Sequence, residues 1–209
     1  MSQEPYEPEL TAAIEQVVQP GWTCADVGAH VGNVTETLVR LVGRTGRVVS
    51  FEAHPDNAAQ LRDRFRRAGV VEVVNVAVSD GSTEQIALYA GRHDHSTEWN
   101  VVGHDVAGVP TRAVLEVRAV SLDSWFEPGA RLDFVKVDVE GAEGLVLAGM
   151  RRLLRKARPV LAVEFHDDEG WASRQELLDA GYTLSRPDGT PIDPAGARAY
   201  HVIARPVAR

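Results

Sequence analysis

Short runs of strand-forming residues alternate with stretches of helical periodicity along most of this chain. This alternation predicts an α/β fold in which helices cover both faces of a mostly parallel sheet. Strands of the alternating part are expected at Trp22–Val27, Arg47–Glu52, Val70–Val78, Leu132–Asp138 and Pro159–Phe165. Helices are expected at Leu10–Val18, Val31–Val42, Pro55–Ala68, Leu122–Phe126, Ala142–Lys156 and Trp171–Ala180. Because such sheets bind ligands at the carboxyl ends of their strands, polar residues there are candidates for a functional site.

Two parts of the chain depart from this alternation. Residues 84–120 are predicted to form an inserted β-hairpin with a loop, its strands at Gln85–Tyr89 and Val114–Val120. At the other end, Tyr182–Ser185 and Tyr200–Arg205 predict a closing antiparallel hairpin. These two strands bring the expected main sheet to seven strands.

Composition limits the partners that we expect. The 209 residues suffice for one well-buried core, and we predict a single domain with residues 1–20 as an N-terminal helical segment. A formal net charge of −8 argues against nucleic-acid binding, which requires a basic face. The single cysteine, Cys24, lies in an apolar run, and neither a membrane span nor a signal peptide is predicted. We therefore expect a cytoplasmic protein that does not bind membranes, and a homodimer is compatible with the sequence.

The first candidate site is Asp26-Val-Gly-Ala-His-Val-Gly32, which follows a predicted strand and leads into a helix. Gly28 and Gly32 allow the backbone to turn sharply near a ligand, and the amides at the helix start favour an anionic group. His30 stands where a dinucleotide-binding G-x-G-x-x-G motif has its second glycine, so a pyrophosphate fits poorly.

A second candidate, Glu52, ends the second predicted strand 20 residues after Gly32. An acidic residue at this position suits a bidentate hydrogen bond to ribose hydroxyls. Together with Asp26 it places two carboxylates near the ligand. This pair disfavours a pyrophosphate and tolerates a positively charged group.

The segment Asn75-Val-Ala-Val-Ser-Asp80 ends the third predicted strand. Asp80 lies where a polar side chain could meet the amino group of an adenine, and Ala77 precedes it by three residues. The other interpretation is that Asp80 forms a turn before Gly81 through Asx hydrogen bonding. Both interpretations stay open at this point.

The segment Lys136-Val-Asp-Val-Glu-Gly-Ala-Glu143 is the most specific motif. Alternation with valine puts Lys136, Asp138 and Glu140 on one side of an extended chain. Three charges at a strand end are costly to bury unless they are paired or used in chemistry. The structural alternative is an ion pair of Lys136 with one of the two acids, and Glu143 is explained as an acid in the first turn of a helix.

In these segments the chain resembles the FkbM family of S-adenosylmethionine-dependent methyltransferases. The resemblance extends from about Thr23 to His166 and rests on Asp26–Gly32, Phe51-Glu52, Asn75–Asp80 and above all Lys136–Glu143. His30 is a departure, since the family often has asparagine there. The resemblance implies the Rossmann-like class I methyltransferase fold, which ends on an antiparallel pair, unlike dinucleotide-binding folds.

The resemblance also implies roles for individual residues. Gly28 and Gly32 would line the methionine portion of S-adenosylmethionine, Glu52 would hold its ribose, and Asp80 would lie near its adenine. Asp138 would face the transferred methyl group and the acceptor. The predicted cofactor-binding residues are Asp26, Gly28, His30, Gly32, Glu52, Ala77, Asp80 and Asp138.

Methyl transfer from a sulfonium is an in-line displacement, so the protein mainly aligns the nucleophile and removes its proton. Asp138 is the first candidate for this base, followed by Glu140 and by His166, whose pKa range suits proton abstraction near neutral pH. A variant is that Asp138, His166 and Asp167 hold Mg²⁺, although no metal ligand is assigned.

The acceptor is the least constrained part. Gly91–Trp99 is predicted as a loop that binds the acceptor or covers the cofactor, with Trp99 as a hydrophobic wall, and the alternative is a mobile loop without such a role. Its two histidines match no zinc spacing. The family resemblance suggests O-methylation of a hydroxyl on a secondary metabolite or sugar. N-methylation of an amino sugar or other cationic small molecule is one alternative, and a non-catalytic nucleotide-binding module is another.

Overall fold

A computed structural model describes residues 7–90, 99–101, 113–193 and 195–208; of residues 89, 90, 99–101, 113 and 114 it describes the backbone alone. Its helices are α1 (Pro8–Val17), α2 (Asn33–Val42), α3 (Pro55–Phe65), α4 (Leu122–Trp125), α5 (Glu143–Ala148), α6 (Arg151–Lys156), α7 (Asp168–Ala172) and α8 (Gln175–Asp179). Its strands are β1 (Thr23–Val27), β2 (Arg47–Phe51), β3 (Val71–Val74), β4 (Ala77–Val78), β5 (Gln85–Ala90), β6 (Trp99–Val101), β7 (Ala113–Val120), β8 (Phe134–Val137), β9 (Val160–Glu164), β10 (Tyr182–Ser185) and β11 (His201–Pro206).

The main sheet has seven strands in the order β10-β11-β9-β8-β1-β2-β3. All neighbouring pairs are parallel except those of β11, which is antiparallel to both β9 and β10. This arrangement confirms the predicted fold class with its closing antiparallel hairpin. The order reverses between β1 and β8, and open α/β sheets bind ligands at such a switch point.

The predicted β insertion is also confirmed. Strands β5, β6 and β7 pair in antiparallel fashion, and β4 joins the free edge of β7 through a short parallel pairing. The predicted loop residues 91–98, with both loop histidines, lie outside the described residues, as does the side chain of Trp99.

The predicted third strand, Val70–Val78, is wrong in its second half. The strand ends at Val74, and Ala77–Val78 belongs to the insertion sheet as β4. The side-chain amide of Asn75 donates to the carbonyl oxygens of Glu52 and Ala53 at 2.8 and 2.9 Å, so the chain leaves the main sheet there. The apolar pattern continues across this break because Val74, Val76, Ala77 and Val78 are all buried.

Two predicted helices are each divided in two. Ala142–Lys156 becomes α5 and α6, which separate at Gly149, where an added Cβ would lie 2.0 Å from the Ser79 carbonyl oxygen. Trp171–Ala180 lies in α7 and α8, between which the Ser173 hydroxyl donates to the Gly170 carbonyl. Helical periodicity persists across such short breaks, so the pattern alone did not reveal them.

The two faces of the sheet pack differently. Ala25, Val49 and Val135 face the cluster that contains α5 and α6, whereas Cys24 and Val48 face α1 and α2. Strand alternation places Asp26, Ser50, Lys136 and Glu164 on the second face as well, near the carboxyl ends of their strands. Among the described residues, no helix is both long and apolar enough to cross a membrane.

Candidate active site

A cleft opens at the carboxyl edge of the sheet, around the ends of β1, β2 and β8. Gly28, Glu52 and Asp138 follow these three strands directly, and all three line the cleft. Val76, Ala77, Val78 and Leu88 form an apolar wall, to which the insertion contributes Leu88. The cleft therefore has a polar floor at the switch point and an apolar side.

Backbone amides hold both carboxylate oxygens of Glu52 in the cleft. The amide of His30 donates to Oε2 at 2.7 Å, and the amide of His54 donates to Oε1 at 2.8 Å. Burial raises the pKa of Glu52, and these amides together with Asn57 act in the opposite direction. A carboxylate offers about four acceptor positions, so the two amides and the Asn57 side chain still leave room for a ligand hydroxyl.

The bend after β1 depends on left-handed backbone at three of its residues. His30 has φ 49°, between Gly28 at 81° and Gly32 at 92°. Histidine adopts this region more readily than most side chains, and the bend aims the His30 amide at Glu52. Histidine can therefore occupy a position where a glycine is expected, because the backbone amide of His30, and not its side chain, makes the contact with Glu52.

Both glycines are required by packing within the protein. An added Cβ at Gly28 would lie 1.7 Å from the Asp138 carbonyl oxygen. At Gly32 it would lie 2.5 Å from Leu61 and 2.6 Å from Phe65 of α3. Gly28 lines the cleft, whereas Gly32, which precedes α2, is not among its lining residues.

The Asn75–Asp80 segment contributes Ala77 to the cleft but not Asp80. The exposed Asp80 carboxylate accepts from the amide of Ser82 at 2.8 Å, which is the Asx turn of the alternative interpretation. This hydrogen bond lowers the pKa of Asp80. Asp80 is therefore in the turn and not among the residues that line the cleft.

Asp26 lies beneath the cleft and is fully buried. Its Oδ2 accepts from the Thr35 hydroxyl at 2.6 Å, and the same hydroxyl lies 2.9 Å from that of Ser50. Burial raises the pKa of Asp26, which the charge of Lys136 partly offsets. Asp26 therefore joins β1, β2 and α2 and lines only the small cavity below the bend.

Lys136 is 2% exposed and bridges two carboxylates. Its Nζ lies 2.6 Å from Asp138 Oδ2 and 3.4 Å from Glu164 Oε1. Burial alone would lower the pKa of Lys136, but the surrounding negative charges raise it, so the amine stays protonated. The ion pair expected as the structural alternative is thus present, and it also fixes Asp138 in the cleft wall.

His166 connects the rest of the acidic motif. Its Nδ1 donates to Oε1 of the fully buried Glu143 at 2.8 Å. Its Nε2 lies 3.5 Å from both Asp138 Oδ1 and Glu140 Oε2, and 3.1 Å from the Tyr200 hydroxyl. Burial alone would lower the pKa of His166, but the hydrogen bond to Glu143 and the neighbouring carboxylates raise it to about 9.

Several predictions about this motif need correction. The strand ends at Val137, and Glu140 has φ 52°, so the expected alternation of the extended chain stops before Glu140. Asp167 caps α7 by accepting from the Gly170 amide at 2.6 Å. The structure accordingly groups Asp138 and His166 with Glu140, not with Asp167, as atoms near enough to share a cation.

Sequence analysis missed four contributors to the site. Glu143 was explained as a helix-start acid, although it orients His166. Tyr200, Asn75 and His54 received no role. Tyr200 contacts His166 across 34 residues, and Asn75 contacts Glu52 across 23 residues. His54 lies 2 residues from Glu52, and only this contact could have been inferred locally.

Strand order, the antiparallel β11 and a cleft at the switch point define a Rossmann-like methyltransferase fold. A methyltransferase FkbM from Methylobacillus flagellatus has this fold, with a TM-score of 0.59 and 18% identity over 91% of this chain and 48% of that one. So does Aeropyrum pernix fibrillarin, solved in complex with S-adenosylmethionine, with a TM-score of 0.55 and 15% identity over 97% and 76% of the two chains.

Within this class, the model of the methyltransferase FkbM domain matches residues 26–184, and the chain belongs to this family. Among curated relatives, the 2-O-methyltransferase NoeI of Sinorhizobium fredii is 26% identical over 163 residues, which are 72% of this chain and 66% of NoeI. The chain thus spans less than the full length of the relatives that it matches.

Proposed function

We propose that this chain is an S-adenosylmethionine-dependent methyltransferase that methylates a hydroxyl group of a small molecule. The observation that carries the proposal is the Glu52 carboxylate, held by two backbone amides at the switch point, across the cleft from Asp138. Family membership and the O-methyl transfer named for NoeI support it.

The residues of the cleft fit S-adenosylmethionine. The Glu52 carboxylate, which lines the cleft, suits hydrogen bonds from the ribose hydroxyls, and the wall of Ala77, Val78 and Leu88 suits the flat adenine. Gly28 and His30 lie where the methionine portion would pass between Glu52 and Asp138. Asp26, Gly32 and Asp80 do not line this cleft, so we assign Asp26 and Gly32 to shaping the bend and Asp80 to the following turn.

When bound, S-adenosylmethionine supplies a methyl group on a positively charged sulfur. The acceptor oxygen forms a bond to the methyl carbon while the carbon–sulfur bond breaks and its electron pair stays on sulfur. The chain aligns the acceptor oxygen and takes up its proton. Asp138 suits both tasks, since Lys136 fixes one of its oxygens and the other faces the cleft edge near His166.

His166 is the second candidate for the base, with Glu143 as its positioning residue. With its pKa at about 9, His166 carries a proton at neutral pH and would serve as a base only in alkaline solution. A profile of kcat/KM against pH separates the two: a rise toward pH 9 assigns the base to His166, and no rise in that range leaves the role to Asp138.

N-methylation of a cationic acceptor is the competing function, favoured by Asp138 and Glu140 in the cleft wall. A screen of hydroxylated and amine-bearing small molecules with S-adenosylmethionine, read by mass spectrometry for the gain of one methyl group, separates the two. Methylated alcohols support the proposal, and products limited to amines overturn its acceptor class. If calorimetry detects binding of NAD but no binding of S-adenosylmethionine or S-adenosylhomocysteine, the cofactor assignment is wrong.

A further inference from the structure

A second cluster of acids and imidazole lies outside the cleft lining, where α1 meets the carboxyl edge of the sheet. Glu7 directly precedes α1, Glu164 ends β9, and His201 begins β11 opposite Glu164. One ligand atom of each lies within 4.8 Å of the others. We propose that Glu7, Glu164 and His201 bind a divalent transition-metal cation of the zinc type, which fastens α1 to the sheet next to Lys136.

The first support is a concentration of unsatisfied atoms. Among the described residues, five buried side-chain polar atoms have no hydrogen-bond partner, and three of them are Glu7 Oε2, Glu164 Oε1 and His201 Nε2. A buried polar atom without a partner costs about 1–3 kcal/mol. Glu164 Oε1 faces Lys136 Nζ at 3.4 Å, so Glu7 Oε2 and His201 Nε2 are the two atoms that indicate a missing shared ligand. Glu164, whose side chain is 2% exposed, turns its other oxygen, Oε2, toward His201.

The spacing of these atoms suits a metal better than direct hydrogen bonds. His201 Nε2 lies 3.7 Å from Glu7 Oε2 and 3.6 Å from Glu164 Oε2. Hydrogen bonds between nitrogen and oxygen are about 2.7–3.2 Å long. Tetrahedral zinc with ligands at about 2.0–2.2 Å holds neighbouring ligand atoms about 3.3–3.6 Å apart. A cation between the three atoms therefore needs only small shifts.

The donor set and its surroundings also fit. One imidazole with two carboxylates suits zinc, whereas magnesium prefers oxygen ligands alone. The Glu7 side chain makes no capping hydrogen bond to α1, so the start of the helix does not account for its position. Glu7 and His201 are each 22% exposed, which leaves a path for the ion and room for a water as fourth ligand.

The active-site trio of Asp138, Glu140 and His166 also lies within 4.8 Å, yet it differs in one respect. Both nitrogens of His166 already have partners: Nδ1 donates to Glu143, and Nε2 lies 3.1 Å from the Tyr200 hydroxyl. In the Glu7 trio, the corresponding Nε2 of His201 has no hydrogen-bond partner. We therefore assign the cation to Glu7, Glu164 and His201.

The proposed site bears on the cleft through one shared residue. Glu164 lies between His201 and Lys136, and Lys136 pairs with Asp138. If a cation neutralised Glu164, Lys136 would form its ion pair mainly with Asp138. The metal would thus act as a structural and positioning element, and its binding does not depend on the proposed methyl transfer.

Zinc binding to the full chain tests the inference. Protein purified without a histidine tag and treated with chelator is titrated with ZnCl₂ by calorimetry, and the metal content is measured after dialysis. We expect one zinc per chain, binding weakened at least tenfold in both Glu7→Gln and His201→Gln, and no competition from MgCl₂ at the same concentration. Glu140→Gln and His166→Gln are the matched controls and should bind zinc like the wild type.

Two results would overturn the inference. The first is that the wild type binds no stoichiometric zinc. In that case the three residues form ion pairs of a protonated His201 with two carboxylates, and no metal site exists. Loss of zinc in Glu140→Gln or His166→Gln, with binding retained in Glu7→Gln and His201→Gln, places the metal in the active-site trio. Circular dichroism of each chelated variant checks folding, and Glu7→Gln, which changes a residue at the start of a helix, decides the matter if His201→Gln does not fold.

Discussion

The two halves of the cleft are built by different means. On the β1–β2 side, backbone amides of nearby residues donate hydrogen bonds to both carboxylate oxygens of Glu52. On the β8–β9 side, charged side chains hold one another: Lys136 pairs with Asp138 and Glu164, and His166 pairs with Glu143. Backbone amides do not titrate, whereas the contacts of the second half depend on protonation. The first half is therefore expected to be rigid and to respond to pH only through Glu52 itself, whose pKa burial raises, and the second half to respond to pH and to any change of charge.

The largest expected effect is on the β8–β9 side. Lys136→Met removes the charge that offsets three buried or half-buried acids, and removal of one partner from a buried ion pair typically costs about 3–5 kcal/mol. Chemical denaturation should show a loss of this size. Lys156→Met, at an exposed position in α6, is the matched control and should change stability little. Equal losses of stability in the two variants would show that the ion pairs of the buried Lys136 do not contribute to the free energy of unfolding.

The pH response of the same half comes next. The pKa of His166 is raised to about 9 in the folded protein from an ordinary value of 6.5, so its contribution to stability is complete below pH 6.5 and disappears as the pH rises through 9. The stability difference between wild type and His166→Gln should shrink by about 2 kcal/mol over this window, because solvent screening reduces the ~3.4 kcal/mol that the full pKa difference is worth. Urea unfolding at several pH values, with chelator present, measures it. A constant difference would contradict the assignment of a charged His166.

The β1–β2 side is tested by cofactor affinity. Glu52→Ala should weaken binding of S-adenosylhomocysteine at least tenfold, because a hydrogen bond to a charged group contributes about 1.5–3 kcal/mol. Glu72→Ala, which removes an exposed carboxylate on β3, is the control and should leave the affinity unchanged. The wild-type affinity should also stay constant between pH 6 and 9. A strong pH dependence there would break the contrast between the two halves.

The smallest effect is expected at Asp80. Asp80→Ala removes an exposed turn contact to Ser82, so stability should fall by no more than about 0.5 kcal/mol and cofactor affinity should not change. Calorimetry with S-adenosylhomocysteine checks this outcome. A loss of affinity as large as that of Glu52→Ala would restore Asp80 to the adenine site.

The same contrast explains what sequence analysis could predict. Glu52 and the bend at Gly28 follow strand ends directly, and strand ends are visible in the hydrophobic pattern. Glu143 and Tyr200 meet His166 across 23 and 34 residues, and no local pattern encodes such contacts. The prediction puts Ala77 in the wrong sheet because the buried residues continue from Val74 through Val78 without a gap in the apolar pattern, and the Asn75 side chain marks the break.

The central claim is that Glu52 holds the ribose of a cofactor whose sulfur faces Asp138. A crystal structure of the chain with S-adenosylhomocysteine tests it most directly. The account predicts both ribose hydroxyls within hydrogen-bond distance of the two Glu52 oxygens, with the His30 and His54 amides still donating to the same carboxylate. A ligand seated elsewhere, or a Glu52 side chain turned away from the ribose, would contradict it.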